Sequence, residues 1–300
     1  MKVLLATDCS KQASDAAKAL LRLPIDERID LTIITALAEP YASVSDSSQQ
    51  WFPELLQQER SRTEQHQQTL AALLKERCER VEMVMRPGHP VRVVLSEAEQ
   101  LGSDLIVMGA QGHSFLGRLL IGSVSDSIAT HAKCSVLVVR SPESTPATHD
   151  AVHRVLVGFD GSAPAKSAVD EMVRLNWAPD TNFELLSVAP IYDYLLGTGL
   201  TTAAIENEEF LFKEMKQRCD SMVESVSNQL PNVSSCVVND QRVGPAITEQ
   251  AEKSNTDLIV VGDAGHSLLD DLLLGSTTKY VLRHAACSVW ISRHHRQTSQ

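Results

Sequence analysis

Apolar positions fall into two kinds of run along this chain. Short unbroken runs such as Leu105-Ile-Val-Met108 and Leu258-Ile-Val-Val261 have the length of strands and carry no polar break. Runs of that kind fit strands covered on both faces of a sheet. Other stretches place apolar residues at helical spacing: Ala13, Ala16, Ala17, Leu20 and Leu21, then Ala165, Ala168, Val169, Met172 and Val173. Ser10 and Ser162 precede them as helix N-caps. The pattern predicts strands near 2–7, 30–37, 81–86, 105–108 and 136–139, and again near 154–159, 183–189, 235–239, 258–261 and 289–291. Long polar helices are expected over about 54–79 and 206–229. Further helices open at Gly88-His-Pro90 and Gly244-Pro245, and near Ser123 and Ser276. Strands separated by helices imply βαβ crossovers. The expected fold class is α/β, with two doubly wound domains, each a five-stranded parallel sheet with helices on both faces.

The two halves are copies. Val3-Leu-Leu-Ala-Thr-Asp8-Cys-Ser10 answers to Val155-Leu-Val-Gly-Phe-Asp160-Gly-Ser162, and His131-Ala-Lys-Cys134-Ser-Val to His284-Ala-Ala-Cys287-Ser-Val. The offset stays at 152 or 153 residues throughout. Between the copies, Ser141–Asp150 is polar and carries two prolines, so it reads as a linker. The expected organisation is a first domain over 1–140, a linker over 141–152, a second domain over 153–293 and a tail over 294–300.

One glycine spacing also occurs twice. Gly109-Ala-Gln-Gly112 is followed after nine residues by Gly122-Ser123, and Gly262-Asp-Ala-Gly265 after nine by Gly275-Ser276. Each follows a buried strand and leads into a helix. Glycines let main-chain amides approach an anion closely, and a helix start adds unsatisfied donors and partial positive charge. In doubly wound sheets ligands sit beyond the carboxyl ends of the strands, where the strand order reverses. Asp8 and Gly109, like Asp160 and Gly262, fall at such ends. A phosphate cradle is the functional reading; ordinary turn and helix-packing use is the bland one. For the two aspartates the bland reading is a cap on the next helix.

Composition narrows the partners. Of 300 residues, 43% are hydrophobic and 22% charged, enough to bury a core in each half. The net charge of −11 argues against general binding to nucleic acid or anionic membranes, so any phosphate must be held locally. The charged start and the lack of a membrane-length apolar run predict neither signal peptide nor membrane span. Six cysteines without a Cys-x-x-Cys pair fit a reducing cytoplasm. His131-x-x-Cys134 and His284-x-x-Cys287 are single pairs, short of the four ligands of a structural zinc site. Cys9 lies beside the aspartate, and a redox role there would need a basic neighbour to lower its pKa. The polar stretch Gln57–Gln68 reads as a solvated helix face, and Ser43–Ser48 as a loop able to cover a ligand.

At these residues the chain resembles the universal stress protein family in its tandem two-domain form. The pattern G-x2-G-x9-G-(S/T), the aspartate after the first strand and the His-x-x-Cys before the last carry the resemblance over nearly the whole chain. Two departures are Cys9 in place of a glycine after the aspartate, and Ser135 and Ser288 where proline is frequent. The resemblance implies ATP, with Mg2+, as ligand. Thr7 and Asp8 would approach the ribose and adenine, and Ala36 the adenine by its backbone. Gly109, Gly112, His113, Gly122, Ser123, Val124 and Ser125 would line the phosphates. In the second half these become Asp160, Val188, Gly262, Gly265, His266, Gly275, Ser276, Thr277 and Thr278. It also implies a regulatory role with an unidentified protein partner and domain pairing within the chain, and leaves a homodimer open.

The two sites are not expected to be equal. Arg118 of the first glycine loop is replaced by Asp271, beside Asp270, in the second. A carboxylate several Å from a triphosphate costs on the order of 1 kcal/mol at surface-like dielectric. The first site is therefore expected to bind more tightly. No lysine of the GxxxxGK(S/T) kind is present, and no Ser-His-Asp or paired-carboxylate set stands out. Three readings remain open: an ATP-binding regulator with little turnover, a slow ATPase or phosphotransferase, and a pairing scaffold without useful nucleotide affinity.

Overall fold

The computed structural model describes residues 1–25, 28–37, 52–112, 121–140, 152–189, 201–264 and 274–293, with 52–53 and 201–208 as backbone only. The chain divides into two compact units. One comprises Met1–Leu21 and Glu27–Arg140, the other Arg22–Asp26 and Ser141–Gln300.

The first unit runs β1 (Lys2–Ala6), α1 (Lys11–Arg22), β2 (Ile29–Leu37), α2 (Phe52–Leu74), a single 3-10 turn, β3 (Cys78–Pro87), α3 (Pro90–Leu101), β4 (Leu105–Gly109), α4 (Ser123–His131) and β5 (Ser135–Val139). Its strands lie in the order β3-β2-β1-β4-β5 and every pairing is parallel. The second unit repeats this with β6 (Arg154–Gly158), α5 (Ala163–Val173), β7 (Asn182–Ala189), α6 (Thr201–Val226), β8 (Val233–Asn239), α7 (Val243–Lys253), β9 (Leu258–Gly262), α8 (Ser276–His284) and β10 (Ser288–Ser292). Its order is β8-β7-β6-β9-β10, again all parallel. The doubly wound fold read from the sequence is thus present twice.

The order reverses between β1 and β4, and between β6 and β9. Right-handed crossovers then place the first two helices of each unit on one face and the last two on the other. That double cover explains why β4, β5 and β9 are buried at every residue. Ser10 and Ser162 act as N-caps: their Oγ atoms accept from the amides of Ala13 at 3.1 Å and Ala165 at 3.3 Å.

Helix α2 departs from its sequence reading. The stretch Gln57–Gln68 is not a uniformly solvated face, because Thr63 and Gln67 are buried together with Leu70 and Leu74. These four stand at helical spacing and form the stripe that meets the sheet. Gln67 Nε2 lies 3.0 Å from Thr35 Oγ1, 3.0 Å from the Val84 carbonyl and 3.3 Å from that of Ile33. A buried amide so supplied with acceptors is tolerated where an unpartnered one is costly.

Candidate functional site

The site forms where β1 and β4 end. The Asp8 carboxylate turns back on its own loop, Oδ1 accepting from the Ser10 amide at 3.0 Å. Asp160 does the same with Ser162 at 2.9 Å. Each aspartate therefore shapes the turn ahead of the next helix and is not its cap, which is Ser10 in one unit and Ser162 in the other. Asp8 also faces the glycine turn: a methyl group on Gly112 would overlap Asp8 Oδ2. A side chain at 112 would require the Asp8 carboxylate to turn aside.

The two ends of the first glycine spacing meet. The Gly122 amide donates to the Ala110 carbonyl at 2.8 Å, joining residues separated by eleven intervening positions. A methyl group on Gly122 would lie 3.7 Å from Gln111 Cα and 4.0 Å from the Gly112 nitrogen. The second unit repeats the closure, Gly275 donating to the Asp263 carbonyl at 2.8 Å. Gly122 and Gly275 are the N-caps of α4 and α8, extended in backbone and without a side chain to cap the helix. The first-turn amides that follow, Ser123 to Ser125 and Ser276 to Thr278, lack an acceptor inside their helices.

The hydroxyl groups of that turn divide in role. Ser125 is buried and donates to the Gly109 carbonyl at 2.9 Å; Thr278 is buried and donates to Gly262 at 2.7 Å. These two tie the helix start to the end of the strand, while Ser123 and Ser276 are exposed at the mouth. Gly109 and Gly262 are also packing residues. A methyl group on Gly109 would meet Gln12 of α1 at 3.0 Å, and one on Gly262 would meet Pro164 of α5 at 2.9 Å.

Thr7, ending the run of β1, has its amide on the Ile34 carbonyl at 2.9 Å, and Ala36 lies further along β2 opposite Arg86. Val188 holds the matching place in β7, opposite Val238. His113, Gly265 and His266 lie outside the described residues, as do Arg118, Asp270, Asp271, Ser43–Ser48, the linker Ser141–Asp150 and the tail.

His66 of α2 is a neighbour that sequence reading passed over. Its Nε2 lies 3.1 Å from Thr7 Oγ1, which also accepts from the Cys9 amide at 3.1 Å. The signal was the inward stripe of α2, since His66 is next to Gln67. Cys9 has φ of 64°, and Gly161, its counterpart, has φ of 80°. A cysteine in this left-handed region costs of order 1 kcal/mol relative to glycine. Its half-buried thiol lies 3.8 Å from Thr63 Oγ1, and burial above all pushes its pKa upward. The thiolate is the reactive form. Cys9 in the native protein is thus expected to react with iodoacetamide at pH 7 more slowly than an unstructured cysteine peptide, as read by peptide mass spectrometry; an equal or faster rate contradicts this.

A further asymmetry separates the units. The residue after the first glycine is Ala110 in one and Asp263 in the other. Asp263 and Arg293 are each 1% exposed, with Nε and Oδ2 3.6 Å apart. Charge differs as well: residues 1–140 hold 15 basic against 17 acidic side chains, and residues 153–293 hold 11 against 19.

Two copies of a doubly wound domain, each joining a glycine turn to an uncapped helix start, define a tandem α/β protein. The chain belongs to the universal stress protein family, whose model matches residues 1–140 and 151–293. A universal stress protein of Mycobacterium tuberculosis is 31% identical over 215 residues, covering 71% of this chain and 68% of that protein. One of Bacillus subtilis is 27% identical over 145 residues, 46% of this chain and 98% of its own. The crystal structure of a universal stress protein from Archaeoglobus fulgidus shares the fold, with a TM-score of 0.66 at 19% identity over 97% of this chain and 96% of that one. No helix among the described residues is long and apolar enough to cross a membrane.

Proposed function

We propose that this stress protein binds ATP in two main-chain cradles, holds the first ATP more tightly, and acts as a regulator with little or no turnover. The observation that carries the reading is the closure of the loop by the bond from Gly122 to Ala110. It sets the glycine turn, Asp8 and the uncapped start of α4 around one place. Amides at a helix start suit phosphate, and the absence of a Cβ at Gly112 and Gly122 leaves the main chain approachable. ATP would supply the negative charge these donors lack. Among the described residues no group of three or more His, Cys, Asp or Glu side chains is placed to hold a metal ion. A Mg2+ ion would accordingly be carried in by the phosphates.

The second cradle repeats the design in an acidic unit, with a buried carboxylate at 263 instead of the methyl group of Ala110. The acidic balance of the unit disfavours a polyanion, whereas the 263 carboxylate is matched by Arg293. Unequal affinity follows from that balance and from the Arg118 to Asp271 exchange. Binding would then act by favouring whichever state of the protein holds ATP better.

The test is calorimetric titration of the full chain with ATP and Mg2+, using Gly122→Asp and Gly275→Asp. An aspartate at an N-cap satisfies the first-turn amides itself, so it plugs the cradle while keeping the helix. Gly122→Asp is expected to remove the tighter site and Gly275→Asp the weaker one, each with an unchanged or slightly raised thermal midpoint. Unaltered binding in both variants, or no binding to the native chain, overturns the reading. Phosphate release measured alongside is expected to stay near background.

A further inference from the structure

In the second unit a cleft of about 470 Å³ opens between the turn after β6, the helix α5 and the helix α6. It lies on the face covered by α5 and α6, whereas the phosphate cradle belongs to the start of α8. Its walls include Phe159, Gly161, Lys166, Arg218, Ser221 and Met222. Two cations from different helices thus share one concavity with apolar surface and a hydroxyl group. Among the described residues no carboxylate lines it, although this half of the chain carries 19 acidic side chains.

The two cations differ in their commitments. Lys166 has no ion pair among the described residues. Arg218 Nη2 lies 2.6 Å from Glu214 Oε1, one turn earlier on α6. A guanidinium has five N–H donors, so one carboxylate oxygen leaves it able to bind more. Gly161 keeps the space open. With φ of 80° and no side chain, its place beside Arg218 stays empty, and a methyl group there would come 3.7 Å from Arg218 Cδ.

The first unit shows that the fold does not require this arrangement. Gln67 reaches Ile33 and Thr35 as Cys219 reaches Leu185 and Ser187, which fixes the helix register between units at 152 residues. In that register Lys166 becomes Ser14, Arg218 becomes His66, Gly161 becomes Cys9 and Ser225 becomes Leu73. The matching positions of the first unit therefore lack the two cations of this corner.

We infer that the cleft between α5 and α6 is a binding site for a small organic anion, one carboxylate or phosphate group on an apolar body. Lys166 and Arg218 hold the charge, and Phe159 and Met222 meet the body. The volume lies in the usual range for small-molecule sites. Its walls flank Asp160, so the test separates it from ATP binding by plugging both helix starts.

The experiment titrates the full chain, carrying Gly122→Asp and Gly275→Asp to plug both cradles, with phenyl phosphate, phenylacetate and neutral benzyl alcohol. At least one of the two anions is expected to bind saturably, with Kd below about 1 mM and at least about tenfold more tightly than benzyl alcohol. The stronger of the two anions tells phosphate from carboxylate preference. Lys166→Gln and Arg218→Gln are each expected to weaken that binding about tenfold or more, as loss of a charge-assisted hydrogen bond does. Both side chains are exposed, so an unchanged thermal midpoint is the check on folding. Absence of saturable binding by either anion, or undiminished binding in the double variant Lys166→Gln/Arg218→Gln, overturns the inference.

Discussion

Gly109→Ala and Gly262→Ala are expected to destabilise their own units by about 1–3 kcal/mol, the range of overpacked cores. The added methyl on Gly262 would stand 2.9 Å from both the carbonyl carbon and Cβ of Pro164, and 3.1 Å from its carbonyl oxygen. On Gly109 it would stand 3.0 Å from the carbonyl carbon, oxygen and Cβ of Gln12. The obstructing atoms are largely main chain in the first turn of a helix, so no side chain can swing aside. The helix itself must lift from the sheet. For a unit of about 140 residues each kcal/mol corresponds to roughly 3–5 °C in thermal midpoint. Gly122→Ala is the control. Its backbone angles, φ −67° and ψ 148°, suit any residue, and its methyl would meet nothing nearer than the Ala110 carbonyl at 3.5 Å. Scanning calorimetry should show lower midpoints for the first two and little change for the third; equal midpoints for all three would contradict the packing argument.

That result would divide the glycines of one spacing by role. The first of each set closes the gap between strand and helix, and the later ones admit the main chain to the site. The sequence shows the spacing but not the division, because the atoms that meet Gly109 belong to a helix nearly a hundred residues earlier. What periodicity does reveal is the order of elements: the unbroken apolar runs became β4 and β9, and Ser10 and Ser162 became caps. Polar residues turned inward are harder to read. Thr63 and Gln67 sit in a stretch dominated by Gln, Glu and Arg, and only their alignment with Leu70 and Leu74 marks them as buried. Ser125 and Thr278 look like phosphate donors in a linear motif; in three dimensions their hydroxyls are directed at the strand carbonyls. Asp263 and Arg293 lie thirty residues apart, and nothing local announces that they pair.

Asp263→Ala is expected to destabilise the second unit by about 3–5 kcal/mol, the cost of removing one member of a buried pair. Both side chains are 1% exposed, and without the carboxylate the Arg293 guanidinium keeps its charge in a place with little water. Arginine does not shed its proton to escape, since its pKa lies far above neutral. The double variant Asp263→Ala/Arg293→Met removes both charges and is expected to recover most of the loss, because buried ion pairs contribute little over an apolar filling of similar volume. Ala110 at the matching position shows that this fold is built elsewhere in the same chain without the carboxylate. The measurement is denaturant unfolding of the single and double variants. A single variant within about 1 kcal/mol of the native chain, or a double variant no more stable than the single, would refute the pairing argument. Asp263 also accepts the Gly275 amide through its carbonyl and donates its own amide to Ser292 at 3.2 Å. Loosening at 263 should therefore reach the start of α8, and hydrogen exchange at the bonded amides of Gly275 and Lys279 is expected to quicken in Asp263→Ala and slow again in the double variant.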